Sequence, residues 1–217
     1  MAALARRGHV KPPDRYHHGD LARAMRREAA SLIQAHGISA VTLRGVGKRL
    51  GVSRSALYRH FPDKQALLAA VAADGFVTLR RVLLAAWNGG GQGTASLAAM
   101  GAAYVQFALS HPSHYRVMFG GVVAEGEVGA EIDGDNTNAF GVLLDAIVAL
   151  QRDRLVRPDE PRRLAYFVWS VVHGIAMLVL DRGLPGAEDT EALVAFANAR
   201  ILTGIERRRS RRTGRRG

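Results

Sequence analysis

Residues Thr42–Lys64 read TLRGVGKRLGVSRSALYRHFPDK, and the reading of this stretch decides the fold. Thr42 has the chemistry of an N-cap, because its hydroxyl can accept from a backbone N–H that the first turn of a helix leaves unpaired. Leu43, Val46 and Leu50 then recur at helical spacing and predict one inward face. Gly51 suits the positive φ of a tight turn between helices, and Ser53 can cap the next one. In that second helix Leu57 and Phe61 point inward. Arg54, Ser55, Ala56, Tyr58, Arg59 and His60 are left on other faces as donors, one small contact and one phenol. Pro62 stops the segment and Asp63 can cap a further helix from Lys64. A short outward helix of about two turns, rich in donors and held by a glycine turn, fits a DNA major groove roughly 12 Å wide. The competing reading of the same pattern is a buried helical hairpin with solvated charges.

The stretch resembles the DNA-binding domain of TetR-family transcriptional regulators. The matches fall at Thr42, Leu43, Arg44, Val46, Gly51, Val52, Ser53, Ala56, Leu57, Tyr58, His60, Phe61, Asp63 and Lys64, with the lead-in Tyr16-His17-His18-Gly19-Asp20-Leu21. The resemblance implies that Thr42, Arg44, Tyr58, His60 and Lys64 mostly hold phosphates, while Arg54, Ser55 and Ala56 approach base edges. Gly45 and Gly47 depart from the family pattern. Each costs about 1 kcal/mol against alanine in a helix interior, so the first helix of the pair is expected to be loose until DNA or packing holds it.

Charge supports a polyanion bound at one end. The chain has 217 residues and net charge +11, distributed as +9 over residues 1–64, −5 over 65–206 and +7 over 207–217. A basic head on a mildly acidic body predicts binding that weakens steeply with salt. No cysteine is present, which excludes disulfides and thiolate metal or redox sites. The first twenty residues lack a continuous apolar stretch of the kind a signal peptide needs, so a cytoplasmic location is expected. The scarcity of lysine beside abundant arginine, alanine and glycine reads as genomic bias.

The whole chain reads as all-α. A flexible arm is expected over 1–15, a three-helix helix-turn-helix domain over 16–64, a helical ligand-binding and dimerisation domain over 65–206, and a basic disordered tail over 207–217. A first helix from about Asp20 to His36 places Leu21, Met25, Ala29, Leu32 and Ile33 on one face, with Gly37 as its C-cap. A connecting helix runs from Lys64 to about Trp87, and Asn88–Gly93 (NGGGQG) is expected to be a mobile loop. Further helices follow: one carrying Leu97, Met100, Tyr104 and Ala108, a short one over Ser113–Phe119, and others over about Asn136–Asp153, Pro161–Arg182 and Asp189–Arg207. The glycine- and acid-rich segment Gly120–Gly134 is expected to be a poorly ordered loop.

Leu164–Leu180, LAYFVWSVVHGIAMLVL, is apolar on every side. At 17 residues with Ser170 and His173 inside it, it suits a membrane span less well than a helix packed on its own domain on one face and on a second copy of the chain on the other. With the last helix it predicts a homodimer closed by a four-helix bundle, able to read a palindromic operator in double-stranded DNA. Trp169, His173 and Gly174, with His111–Gly120 (HPSHYRVMFG), resemble the TetR subgroup named for its Trp-His-Gly signature. The two resemblances together span about Tyr16 to Arg182. They imply a small-molecule effector in a cavity, with Met100, Tyr104, Met118, Trp169 and His173 as candidate lining. A Met and aromatic stripe at helical spacing is more often plain core than pocket lining, and His173 beside Gly174 can simply bond a backbone carbonyl.

No enzyme is expected: there is no G-x-S-x-G, no phosphate loop and no H-E-x-x-H. No cofactor is implied. Two alternatives stay open. His111 with His114, or His17 and His18 with Asp20, would suit a metal-sensing regulator, and the arginine tail would suit a sequence-tolerant nucleoid-type binder.

Overall fold

The computed structural model describes residues 18–121, 138–184 and 189–207. The arm 1–15, most of the Gly120–Gly134 segment and nearly all of the arginine tail lie outside them. Among the described residues there are nine α-helices and one 3₁₀ turn: α1 His18–His36, the turn Ile38–Ala40, α2 Leu43–Leu50, α3 Arg54–His60, α4 Lys64–Gly89, α5 Thr94–Ser110, α6 Pro112–Phe119, α7 Ala139–Arg152, α8 Pro161–Leu180 and α9 Thr190–Ile205. The only extended pairing among them is an isolated bridge between Val156 and Glu206, which pins the end of α9 to the α7–α8 connection.

The helix starts follow from local chemistry. Thr42, Ser53, Asp63, Asn138 and Asp189 each cap with a side-chain oxygen, and Glu160 takes the Arg162 and Arg163 amides ahead of α8 with Pro161 at its first position. Gly37 closes α1 at φ 81°. One continuous apolar core runs from Leu21 on α1 to Ile205 on α9 and crosses Lys64 without a break. The reason is α4. Its first turns bury Leu67, Leu68 and Val71 among the head helices, and its later turns bury Phe76, Leu79 and Leu83 in the body.

The NGGGQG segment is tighter than expected. α4 continues through Asn88 and Gly89, so only residues 90–93 turn the chain. A side chain at Gly90 would lie 2.7 Å from Ala99 Cβ and 3.0 Å from Ser96 Cα, because α4 and α5 meet closely there. The two departures in α2 also have an explanation. A Cβ on Gly47 would overlap Leu57 Cδ1 and sit 3.1 Å from its Cγ, so this glycine lets α3 seat against α2. Gly45 faces the cap oxygen of Thr42, 2.9 Å from where its Cβ would be. Packing against α3 holds this helix in place.

α8 is buried on one side only. Leu164, Ala165, Val168, Val172, Ile175 and Ala176 enter the core, while Phe167, Leu178 and, on α9, Phe196 stay 46%, 46% and 58% exposed. By length and composition alone α8 could cross a membrane, a test that core helices of globular proteins also pass.

Candidate functional site

The surface formed by α2 and α3 is built from a backbone turn outward. Gly51 adopts φ 67°, ψ 26°, and Val52 donates to the Gly47 carbonyl at 3.1 Å, which ends α2 and aims α3 away from it. Leu57 and Phe61 are buried and anchor α3. Ser53 Oγ accepts from Ala56 N at 3.3 Å and pairs with Ser55 Oγ at 3.1 Å. Arg54 lies over the Tyr58 ring, 5.4 Å from its centroid, which gives a long side chain a preferred posture on the exposed face. Thr42, Arg44, Ser53, Arg54, Ser55, Tyr58 and Arg59 are exposed, and Ala56 and His60 are half-buried. Thr42 Oγ1 accepts from Gly45 N at 2.9 Å and keeps its hydroxyl proton for an outside acceptor.

Lys64 sits differently from the others. Its Nζ donates to the carbonyls of Ile38 at 2.9 Å and Ser39 at 3.4 Å, tying the start of α4 to the turn before α2. Two of its three donors are thereby engaged.

The second candidate site is a partly open cavity of about 50 Å³ between helices α4 to α8. Phe76, Leu79 and Leu83 of α4, Leu97, Met100 and Tyr104 of α5, Phe119 of α6, Phe140 and Leu143 of α7, and Val168, Trp169 and Val172 of α8 line it. At roughly 10–15 Å³ per water it has room for a few waters. Among the described residues no charged one lines it. Met100, Tyr104 and Trp169, three of the candidates from the sequence, border it. Met118 does not reach the cavity, because its sulfur packs against Gly75 on α4, where a Cβ could not fit, and the neighbouring Phe119 lines the wall instead. His173 also lies off the lining, one layer behind it.

That layer is a polar chain in which Tyr104 and Tyr115 are buried and Trp169 and His173 half-buried. Trp169 Nε1 donates to Tyr104 Oη at 3.0 Å, Tyr104 Oη lies 3.1 Å from Tyr115 Oη, and His173 Nδ1 lies 2.9 Å from Tyr104 Oη and 2.7 Å from Tyr115 Oη. Burial pushes the Tyr104 hydroxyl up to about 12, raises Tyr115 as well, and lowers His173, so all three stay neutral at pH 7. Tyr115 never entered the sequence-based candidate list. Only its place four residues after His111 in HPSHYRVMFG hinted at it, and its partners come from helices far apart in sequence.

His111, one of the histidines offered as metal ligands, stacks on Phe107 at 4.9 Å, and its Nδ1 meets the Phe107 carbonyl at 3.2 Å. Among the described residues no three His, Asp or Glu side chains converge as a metal site. His17 lies outside the described residues.

Family models match both halves of the chain: residues 26–71 match "Bacterial regulatory proteins, tetR family", and residues 97–201 match "Tetracyclin repressor-like, C-terminal domain". The chain belongs to the TetR family. It is a helix-turn-helix transcriptional regulator with a C-terminal domain of the Trp-His-Gly type, a DNA-binding protein rather than an enzyme. The HTH-type transcriptional regulator YobS of Bacillus subtilis is 21% identical over 182 residues, covering 82% of this chain and 88% of that protein. Among solved structures, a protein of unknown function from Rhodococcus sp. RHA1 is 28% identical with a TM-score of 0.76, covering 90% of this chain and all of that one. A TetR-family regulatory protein from Rhodococcus RHA1 superposes with a TM-score of 0.67 at 20% identity, covering 85% and 96% of the two chains.

Proposed function

We propose that this TetR-family regulator is a cytoplasmic repressor that holds a palindromic operator as a homodimer and leaves it when a small, largely apolar molecule fills the body cavity. The observation that carries the reading is the single helix α4. It begins at Lys64, bonded to the turn before α2, and twelve to nineteen residues later supplies Phe76, Leu79 and Leu83 to the cavity wall. As one rod of 26 residues it is about 39 Å long, so widening the cavity tilts the head.

In this reading Arg54, Ser55 and Ala56 meet base edges. Thr42, Arg44, Ser53, Tyr58, Arg59 and His60 hold phosphates, and Lys64 spends its third donor there. The exposed apolar face of α8 and α9, with Phe167, Leu178 and Phe196, closes the twofold bundle that spaces two heads on successive major grooves roughly 34 Å apart, or a multiple of that. Release requires the ligand to bind the DNA-incompetent spacing better. A hundredfold preference amounts to about 2.7 kcal/mol of coupling.

Selection of bound fragments from random DNA should return an inverted repeat, and Arg54→Ala should lose about 1–3 kcal/mol with relaxed preference at one base pair. Recovery of fragments with no common sequence at fixed salt would favour the sequence-tolerant binder instead.

A further inference from the structure

The wall of the cavity is closed by a hydrogen-bond chain whose arithmetic constrains the ligand. Trp169, Tyr104 and Tyr115 bring three hydrogens, and Tyr104 Oη, Tyr115 Oη and neutral His173 Nδ1 are the three acceptors that receive them. Each of those three hydrogens then has its own acceptor, and the His173 ring keeps its Nε2 proton outside the chain. Of the four side chains only Tyr104 and Trp169 border the cavity. Any polar ligand must therefore bargain with the bond between those two.

The possibilities differ in what they orphan. A group that only donates, and that displaces Trp169 from Tyr104 Oη, would leave the indole N–H without a partner, the costly outcome. A carbonyl could accept from Trp169, leaving Tyr104 one donor short. A hydroxyl inserted between them accepts from Trp169 and donates to Tyr104, giving four hydrogens and four acceptors with none unpaired. Among the described residues no charged side chain lines the cavity, so a carboxylate or ammonium would meet no counter-charge from them.

We infer that the ligand is an uncharged, compact hydrocarbon skeleton bearing one hydroxyl, read by insertion between Trp169 Nε1 and Tyr104 Oη. Trp169 is then the specificity-determining donor. The inference rests on the cavity being the effector site. It adds what that reading leaves open, namely the polar group and the residues that recognise it.

The hydroxyl also has a mechanical consequence. Inserting one between Trp169 and Tyr104 moves them apart, and Tyr104 is bonded to Tyr115 on α6, the helix that packs on both α4 and α1. A hydrocarbon of equal shape widens the cavity without pulling on that chain.

The test compares p-cresol, p-xylene and 4-methylbenzoate by calorimetry on the full DNA-free protein. The first two are near-isosteric and demand the same widening of the cavity, so their ratio isolates the hydroxyl. p-Cresol is expected to bind about five- to tenfold tighter than p-xylene, the yield of one net hydrogen bond, and 4-methylbenzoate at least a hundredfold more weakly than p-cresol. In Trp169→Phe the preference for p-cresol should fall to within about twofold. In Tyr104→Phe it should rise, because the indole N–H is then unpaired until the ligand arrives. A role limited to packing would change both affinities together and leave their ratio alone.

Equal affinities in the wild-type protein, no binding of either neutral compound, tight 4-methylbenzoate binding, or an unchanged ratio in both variants would overturn the inference. Should Trp169→Phe not fold, the rise in Tyr104→Phe decides. Operator affinity measured with saturating p-cresol is a separate arm: hydroxyl-selective binding that leaves the operator complex untouched would refute the effector reading and leave the ligand assignment standing.

Discussion

Replacing Gly47 by alanine sets two measurable effects against each other. Alanine is favoured over glycine by about 1 kcal/mol in a helix interior, so at an unobstructed site the change stabilises. At position 47 the new methyl overlaps Leu57 Cδ1 and lies 3.1 Å and 3.2 Å from its Cγ and Cδ2. Leu57 is only 3% exposed and cannot swing outward without vacating the α2–α3 seam. Overpacking of this kind costs about 1–3 kcal/mol, so the net effect is a loss of up to about 2 kcal/mol. The strain falls on the crossing of α2 and α3, so specific operator affinity should drop more than affinity for random DNA.

A double-mutant cycle makes the claim quantitative. Leu57→Ala alone should cost about 2–5 kcal/mol through the cavity it leaves. Once that side chain is gone the methyl at 47 meets open space, and Gly47→Ala should change sign and stabilise by up to about 1 kcal/mol. The coupling between the two sites is then about 1–3 kcal/mol. Urea melts of the four proteins at one fixed chain concentration read it directly. If Gly47→Ala stabilised the otherwise unaltered protein by about 1 kcal/mol, or if the two changes simply added, the close seat of α3 on α2 would be refuted.

Three further outcomes follow from the geometry. Lys64→Met should lower stability by about 1–2 kcal/mol, since two carbonyls lose a charged donor, and should reduce the salt slope of DNA binding by no more than about one unit; melts and salt titrations check each half. Gly174→Ala meets no atom within 4 Å in the single chain and should stabilise the isolated protomer by about 1 kcal/mol, whereas a dimer closed over that face should be weakened, as read by sedimentation at several concentrations. Burial lowers His173 and His114 from the ordinary histidine value of 6.5, so below it the unfolded chain takes up protons that the folded chain refuses. Stability should therefore fall as pH drops through 6.5 and level off below the lowered folded values, and His173→Gln should flatten the fall in melts between pH 7.5 and 5.

Much of the candidate site was legible because it rests on local chemistry. Caps, turns and helical periodicity act over four or five residues, so Thr42, Gly51, Ser53, Leu57, Pro62 and Asp63 announced α2, the turn, α3 and its stop within one short stretch. The cavity was only half legible. Met100, Tyr104 and Trp169 lie on helical stripes, but a stripe shows which face is buried and not whether that face meets a neighbour or a gap. Met118 illustrates the difference. It is as buried as its pattern implied, yet it spends that burial against Gly75.

By itself the sequence determined an all-α chain, the helix boundaries to within a few residues, a basic reading head and an apolar body, because propensity, capping and charge are properties of neighbouring residues. Tertiary structure alone decided why Gly47 and Gly90 are glycines, where Lys64 spends its amine, and that Trp169, Tyr104, Tyr115 and His173 form one closed hydrogen-bond chain. Those facts depend on how closely helices far apart in sequence approach one another, and that distance is set by the packing of the whole core.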